Sequence, residues 1–195
     1  SGAFAPFFSP DGQWVAFFTP GKLSKVQIAG GPPLVLCNAP FGRGGSWGED
    51  GYIVASLNTT GGLSRIPAAG GMPVVLTPLQ PGDSYHAWPQ ILPRGKAVLF
   101  SPTTETGRSV AVISLVDHKI TILQRNAVSG RYLGPSGGSG YLTYVRNGGL
   151  FAVPFDLDRL EIRGDPVVVV ERVRVNATGG AQFDFAQAGT LVYRA

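Results

Sequence analysis

Apolar and polar positions alternate along this chain in short runs broken by turn residues, and one such phrase recurs five times. Phe7-Phe8-Ser9-Pro10-Asp11-Gly12-Gln13-Trp14-Val15-Ala16-Phe17-Phe18 is an apolar run, a turn and a second apolar run. It returns as Ser46-Trp47-Gly48-Glu49-Asp50-Gly51-Tyr52-Ile53-Val54, and again over 88–100, where Pro93-Arg94-Gly95-Lys96 is the turn. Residues 132–145 and 182–193 are weaker copies. The anchor glycines Gly12, Gly51, Gly95, Gly140 and Gly189 stand 39, 44, 45 and 49 residues apart. A period in the forties built from short strands predicts stacked β-sheet blades. Ser9-Pro10-Asp11-Gly12 shows why the turn forms: Pro presets φ, Asp bonds locally to the backbone and Gly accepts a left-handed conformation.

A second half repeats as well. Residues 21–36 match residues 61–76 at a shift of 40, through Leu-Ser-Lys-Val and Leu-Ser-Arg-Ile and then Gly-Gly-Pro-Pro and Gly-Gly-Met-Pro. Apolar and polar residues partly interleave there with period two, as in a half-buried strand. Four antiparallel strands per unit predict an all-β fold: a β-propeller of four-stranded antiparallel blades, about four and a half to five of them, with almost no helix. The expected blades cover 4–38, 45–78, 87–124 and 131–170, with a half blade at 181–195, all within one domain of residues 1–195. Turns between the first and second strands, and between the third and fourth, belong to one face. Loops between the second and third strands, and the links between blades, belong to the other. Four and a half blades do not close a ring in the usual way, so open blade edges and self-association through them are expected.

Composition narrows the picture. Gly (28) and Pro (16) sit at regular intervals between apolar runs, which is turn-rich β structure and not disorder. The net charge is +4, and the 16 basic residues are scattered along the chain. A nucleic-acid binder concentrates them on one face, so no nucleic-acid partner is expected. Cys37 is alone in an apolar run, which excludes an internal disulfide and reads as a buried thiol. No apolar run approaches the length of a membrane span. The opening Ser1-Gly2 breaks into the pattern midway, as a cloning scar on an excised piece would.

Phe-Ser-Pro-Asp-Gly-x-Trp-Val-Ala-Phe, followed by Gly-Gly-x-Pro-x-x-Leu about twenty residues later, resembles the TolB-like β-propeller repeat, a relative of the WD repeat. Gly44-Gly45-Ser46-Trp47, residues 63–71 and Val153-Pro154-Phe155-Asp156-Leu157-Asp158-Arg159-Leu160 look like the carboxy-terminal propeller region of bacterial serine/threonine protein kinases. The resemblance covers nearly the whole chain and implies a sensor or interaction module. It also implies an extracytoplasmic position if the parent is a membrane kinase, and a cytoplasmic one otherwise. The chain carries no Gly-rich loop with a lysine strand, no His-Arg-Asp loop and no Asp-Phe-Gly, so kinase chemistry would lie outside it.

Candidate chemistry is sparse. Gly134-Pro135-Ser136-Gly137-Gly138 fits the Gly-x-Ser-x-Gly nucleophile elbow, but no His follows it and it occupies the repeat's turn position. His86 and His118 are the only histidines, and the latter belongs to a hairpin turn on the other face, so no metal or other cofactor is expected. Asn58-Thr59-Thr60 and Asn176-Ala177-Thr178 match glycosylation sequons and are taken as chance. Gly42-Arg43-Gly44-Gly45 lacks the strand-to-helix context of a phosphate loop. What remains is the face bearing the links between blades. Phe41, Arg43, Trp47, Tyr85, His86, Trp88, Arg131 and Tyr132 form an aromatic-plus-arginine set there, suited to a protein or peptide partner. Trp47 and Trp88 are assigned to equivalent repeat positions, with packing between blades as the competing role. His86 has its own competing role, bracing the inner strand through a hydrogen bond. The expected function is therefore non-catalytic interaction or sensing. The alternatives are a glycan-binding or glycan-degrading TolB-like propeller, or the propeller portion of a hydrolase.

Overall fold

The computed structural model describes residues 2–135, 138–186 and 190–195. Among them helix is confined to one 3-10 turn at Pro93–Gly95, and no helix is long and apolar enough to cross a membrane. Strands fall into successive antiparallel sheets. The first is β1 (Phe4–Phe8), β2 (Trp14–Thr19), β3 (Gly21–Gln27) and β4 (Leu34–Ala39), and the second is β5 (Gly45–Trp47), β6 (Tyr52–Ala55), β7 (Ser64–Pro67) and β8 (Val74–Val75). The third is β9 (Asp83–Ile91), β10 (Ala97–Thr104), β11 (Ser109–Ser114) and β12 (Ile120–Arg125). The fourth is β13 (Val128–Leu133), β14 (Ser139–Arg146) and β15 (Gly149–Asp156), with β16 (Glu161–Ile162) and β17 (Val167–Val170) both pairing with β15. Its outermost strand is thus interrupted, at a bend where Gly164 has φ of 78°. Last come β18 (Phe183–Phe185) and β19 (Leu191–Tyr193), a two-stranded sheet.

The chain divides into two compact units, Ser1–Ile91 with Pro102–Glu105 and Leu92–Ser101 with Thr106–Ala195. The first unit's core gathers Ala16, Phe18, Leu23, Leu36, Ile53, Ala55 and Ile66. Ala16 and Phe18 are one period-two face of β2, fully buried, while Phe17 between them is only half-buried. The second unit's core holds Leu99, Val110, Val112, Tyr132, Leu142, Tyr144, Val153 and Phe155.

The repeated turn is built as its residues dictate. At the first copy the Ser9 hydroxyl donates to Asp11 Oδ1, the Gln13 amide donates to the same oxygen at 3.0 Å, and Gly12 N–H closes on Ser9 O at 2.9 Å. These donors hold the Asp11 carboxyl below its ordinary pKa, the Ser9 hydroxyl contributing most. Gly12, Gly51 and Gly95 take φ of 66°, 76° and 64°. The fourth copy departs: Gly140 lies inside β14, opposite Phe155, and Gly138 is the left-handed residue. Ser136 and Gly137 of the elbow-like motif, and the fifth anchor Gly189, lie outside the described residues.

One recurrent feature has no signature in residue type. A residue with positive φ stands within or just ahead of each of the first four inner strands: Ala5 (47°), Gly44 (85°), Trp88 (53°) and Ser129 (54°). The register of β1 with β2 shifts across Ala5, and that of β13 with β14 shifts across Ser129. This corrects the alignment of the tryptophans. Trp47 lies next to the turn, opposite Ile53, four residues before Gly51, and Ile91 stands four residues before Gly95. Trp88 takes the positive φ, seven residues before Gly95 as Gly44 is before Gly51, and is the counterpart of Gly44, not of Trp47.

Candidate functional site: the loop end of the first unit

Three segments of the first unit meet at one end, through backbone bonds. Phe41 and Arg43 N–H donate to Leu57 and Ser56 O, both at 3.1 Å, and Ser56 N–H returns to Gly44 O at 3.1 Å. Trp88 N–H donates to Arg43 O at 2.8 Å, and His86 N–H donates to Gly61 O at 3.1 Å. The 41–44 segment can lie this close because two of its residues lack a Cβ. One added to Gly42 would stand 2.0 Å from Phe18 Cδ1, and one on Gly44 would stand 2.8 Å from Trp88 Cε3. The glycine run that fails as a phosphate loop therefore seats this segment on two aromatic rings.

The end is braced by a buried polar chain. Leu63 N–H donates to Thr77 Oγ1 at 2.7 Å, Thr77 Oγ1 lies 2.7 Å from His86 Nδ1, and His86 Nε2 lies 2.9 Å from Asp83 Oδ2. Gln80 N–H also donates to Asp83 Oδ2, at 3.0 Å. The neutral imidazole with its proton on Nε2 satisfies each link. Thr77 accepts from Leu63 and donates to Nδ1, and Nε2–H donates to the carboxylate. Thr77 and His86 are wholly buried, and burial pulls the histidine below its ordinary pKa of 6.5 while the Asp83 bond pushes back. The arrangement resembles a hydroxyl–imidazole–carboxylate relay, but the hydroxyl faces no solvent. Its role is to fix the 77–88 segment. Of the two roles open to His86, a binding-loop side chain or a brace of the strand, the buried ring with its two side-chain bonds fills the second.

The remaining candidates sort by exposure. Phe41 is 58% exposed. Arg43 is half-buried: its Nη1 reaches Gly42 O at 3.4 Å, while its buried Nε has no partner among the described residues. Tyr85 and Trp88 are half-buried at the same end. Trp47 packs on the first core, its ring 5.7 Å from Lys25 Nζ, which also lies 4.3 Å from the Trp14 ring and donates to Ala68 O at 2.7 Å. Arg131 and Tyr132 belong to the second unit. Tyr132 is buried, edge-on to Phe155, and donates to Pro135 O at 2.9 Å. Arg131 donates to Gly130 O at 3.0 Å; loss of water draws its pKa down, and the Asp184 carboxylate opposes that. Phe41, Arg43, Tyr85 and Trp88 thus share one end, held by His86. Trp47 and Tyr132 are packing residues. Thr77 and Gly62 were not singled out beforehand, although a Cβ on Gly62 would sit 1.7 Å from Thr77 O. His118 occupies the β11–β12 turn at φ of 58°. Asn58 and Asn176 cap their own turns, accepting from Thr60 and Thr178 N–H, both at 3.0 Å.

No protein-family model matches the chain, and no curated protein matches it. Solved structures do. TolB from Acinetobacter baumannii superposes with a TM-score of 0.66 at 16% identity, over 87% of this chain and 44% of that one. The fold is that of β-propeller blades. An auxiliary nutrient binding protein from Bacteroides thetaiotaomicron matches at 0.68 with 12% identity, over 96% of this chain and 49% of that one. A puromycin hydrolase matches at 0.57 with 14% identity, over 96% of this chain and 32% of that one. The chain spans less than half the length of each of these three proteins. Identities this low carry the fold alone, and one fold serves a binding protein and a hydrolase, so function has to be argued from the site.

Proposed function

We propose that this chain is a non-catalytic module that binds a protein or peptide partner through the loop end of its first unit. The observation that carries this reading is Phe41, exposed beside Arg43 on a backbone fixed to neighbouring segments at 3.1 Å and 2.8 Å. Phenyl rings and guanidinium groups are enriched at interfaces, and arginine is among the residues that dominate their energies. Presented on a pre-formed loop, they lose little conformational freedom on binding. The guanidinium favours a carboxylate, so the partner is an acidic segment with an adjacent apolar side chain. Among the described residues no group of three or more His, Cys, Asp or Glu side chains could hold a metal.

The wider reading, a sensory end of a receptor-type serine/threonine kinase, rests on the repeat motifs quoted above. Its test is the full reading frame, in which a kinase domain and a membrane helix upstream are expected. The binding reading is tested by panning a displayed random-peptide library on the chain. Carboxylate-bearing peptides should be enriched and should lose about tenfold or more in affinity with Phe41→Ser or Arg43→Gln. Peptides indifferent to both changes, or turnover of ester, glycoside or peptide substrates by this chain alone, would overturn it.

A further inference from the structure

We propose that the turn end of the second unit holds a binding site for a small branched aliphatic carboxylate. Three hairpin turns line one cavity there: β9–β10 at 92–96, β11–β12 at 115–119 and β15–β16 at 157–160. All of the lining residues belong to the second unit, and the cavity measures about 120 Å³. Leu92, Ala97 and Leu157 line it from within and are almost wholly buried. Leu160 and Val116 line it nearer the surface, and Val116 is 76% exposed. An engineered apolar cavity of about 150 Å³ takes up benzene, so this one has room for about five carbon atoms.

The mouth selects the head group. Arg94, Lys96 and Asp158 stand there, two cations against one carboxylate. Arg94 Nη2 donates to Asp158 Oδ1, which takes one of the five guanidinium N–H groups. The Lys96 side chain is exposed and has no ion pair or hydrogen bond among the described residues. Ser114 also lines the cavity, but its hydroxyl accepts from Val116 N–H at 3.3 Å and donates to the Asp117 carboxylate. The free guanidinium N–H groups and the ammonium are therefore open to a ligand, and a carboxylate takes both. Asp158 cancels one of the two positive charges, so a monocarboxylate neutralises the mouth and a dicarboxylate overshoots. Backbone strain marks the same place. Arg94 and Leu160 take φ of 69° and 58°, where glycine would fit without cost. The chain carries instead the guanidinium of the mouth and the isobutyl group of the wall, and strain of this kind clusters at ligand sites.

Amide NMR of the whole chain, titrated with isocaproate, tests this. That acid carries a branched tail of the size the cavity admits. It should move amides at 92–97, 114–116 and 157–160 along one saturating curve. Isocaproamide, neutral and of the same shape, should bind about tenfold more weakly, and acetate, with no tail, should give no saturating shift. Lys96→Gln changes an exposed side chain and should weaken the acid about fivefold. Ala97→Leu fills the cavity from within and should abolish the shifts, with the dispersion of the other amides confirming that the variant folds. No saturating shift with the acid, equal affinity for the amide, indifference to Lys96→Gln, or shifts centred on 41–44 would overturn the proposal. So would a leucine-terminated peptide that binds more than tenfold tighter than the acid, because the site would then take a chain end and not a free small molecule.

Discussion

In the first unit the strand that starts at Asp83 is anchored by an imidazole and a carboxylate; in the second, the strand that starts at Val128 is anchored by hydroxyls and amides. There Ser129 N–H donates to Ser101 Oγ at 3.2 Å, Ser129 Oγ donates to Gly179 O at 2.9 Å, and Ala181 N–H donates back to Ser129 Oγ at 2.9 Å. Both anchors are buried, and both tie an inner strand to another segment of its unit. The difference lies in what water can do to them. The serine anchor has no proton to gain in the accessible pH range. The histidine anchor depends on its imidazole staying neutral, and Asp83 beside it stabilises the charged form that burial penalises. The same mechanical task is therefore pH-sensitive in one unit and pH-silent in the other.

Removing the imidazole separates the two anchors most sharply. His86→Ala takes one of the two bonds from each of Thr77 Oγ1 and Asp83 Oδ2 and opens a void, which should lower stability by about 3 kcal/mol. Trp14, Trp47 and Trp88 all belong to the first unit, so the tryptophan-detected denaturation curve is the measurement. A change below about 1 kcal/mol would mean that the relay carries no load.

Protonation tests the same anchor more gently. His86 has a folded-state pKa below its ordinary 6.5, so the unfolded chain binds its proton first as pH falls. Its stabilising contribution is complete above pH 6.5 and is lost as pH drops from there through the depressed folded value. The slope in that window should approach but not exceed about 1.4 kcal/mol per pH unit. It should be absent in His86→Gln. A variant that keeps the full slope would assign the sensitivity to another group.

Ser129→Ala should cost about 1 kcal/mol, through the lost bonds to Gly179 O and Ala181 N–H, with no new pH dependence. Far-UV circular dichroism should register it more strongly than tryptophan fluorescence. The smallest effect concerns Cys37, whose thiol burial pushes up to about 11. In the folded protein it should react with thiol reagents near pH 8 far more slowly than in urea, at no change in stability. Rapid native labelling would show that the outer part of the first sheet opens.

The blades were legible because turn chemistry and strand period both leave residue-level marks. Ser9, Asp11 and Gly12 do what their types require, and Asp50 and Gly51 repeat part of it, Asp50 Oδ1 accepting from Tyr52 N–H at 3.1 Å. The positive-φ positions on the inner strands were not legible. Ala, Gly, Trp and Ser share a backbone conformation there and nothing in side-chain character, so aligning aromatic with aromatic paired Trp47 with Trp88 and missed the offset. The site was half legible. An exposed Phe41 beside a half-buried Arg43 follows from a loop rich in glycine, and the spacing from Asp83 to His86 hints at a bond. Thr77, nine residues ahead of His86, becomes its partner only once the chain has turned from β8 back toward β9.

The four positive-φ positions have a further consequence for how such a molecule diversifies. Their occupants range from no side chain, in Gly44, to an indole, in Trp88. Occupant and surroundings are matched: a Cβ on Gly44 would stand 2.8 Å from Trp88 Cε3, and Ser129 Oγ is bonded to Gly179 O and Ala181 N–H. Duplicated units therefore diverge at these points by coupled changes and not by single ones.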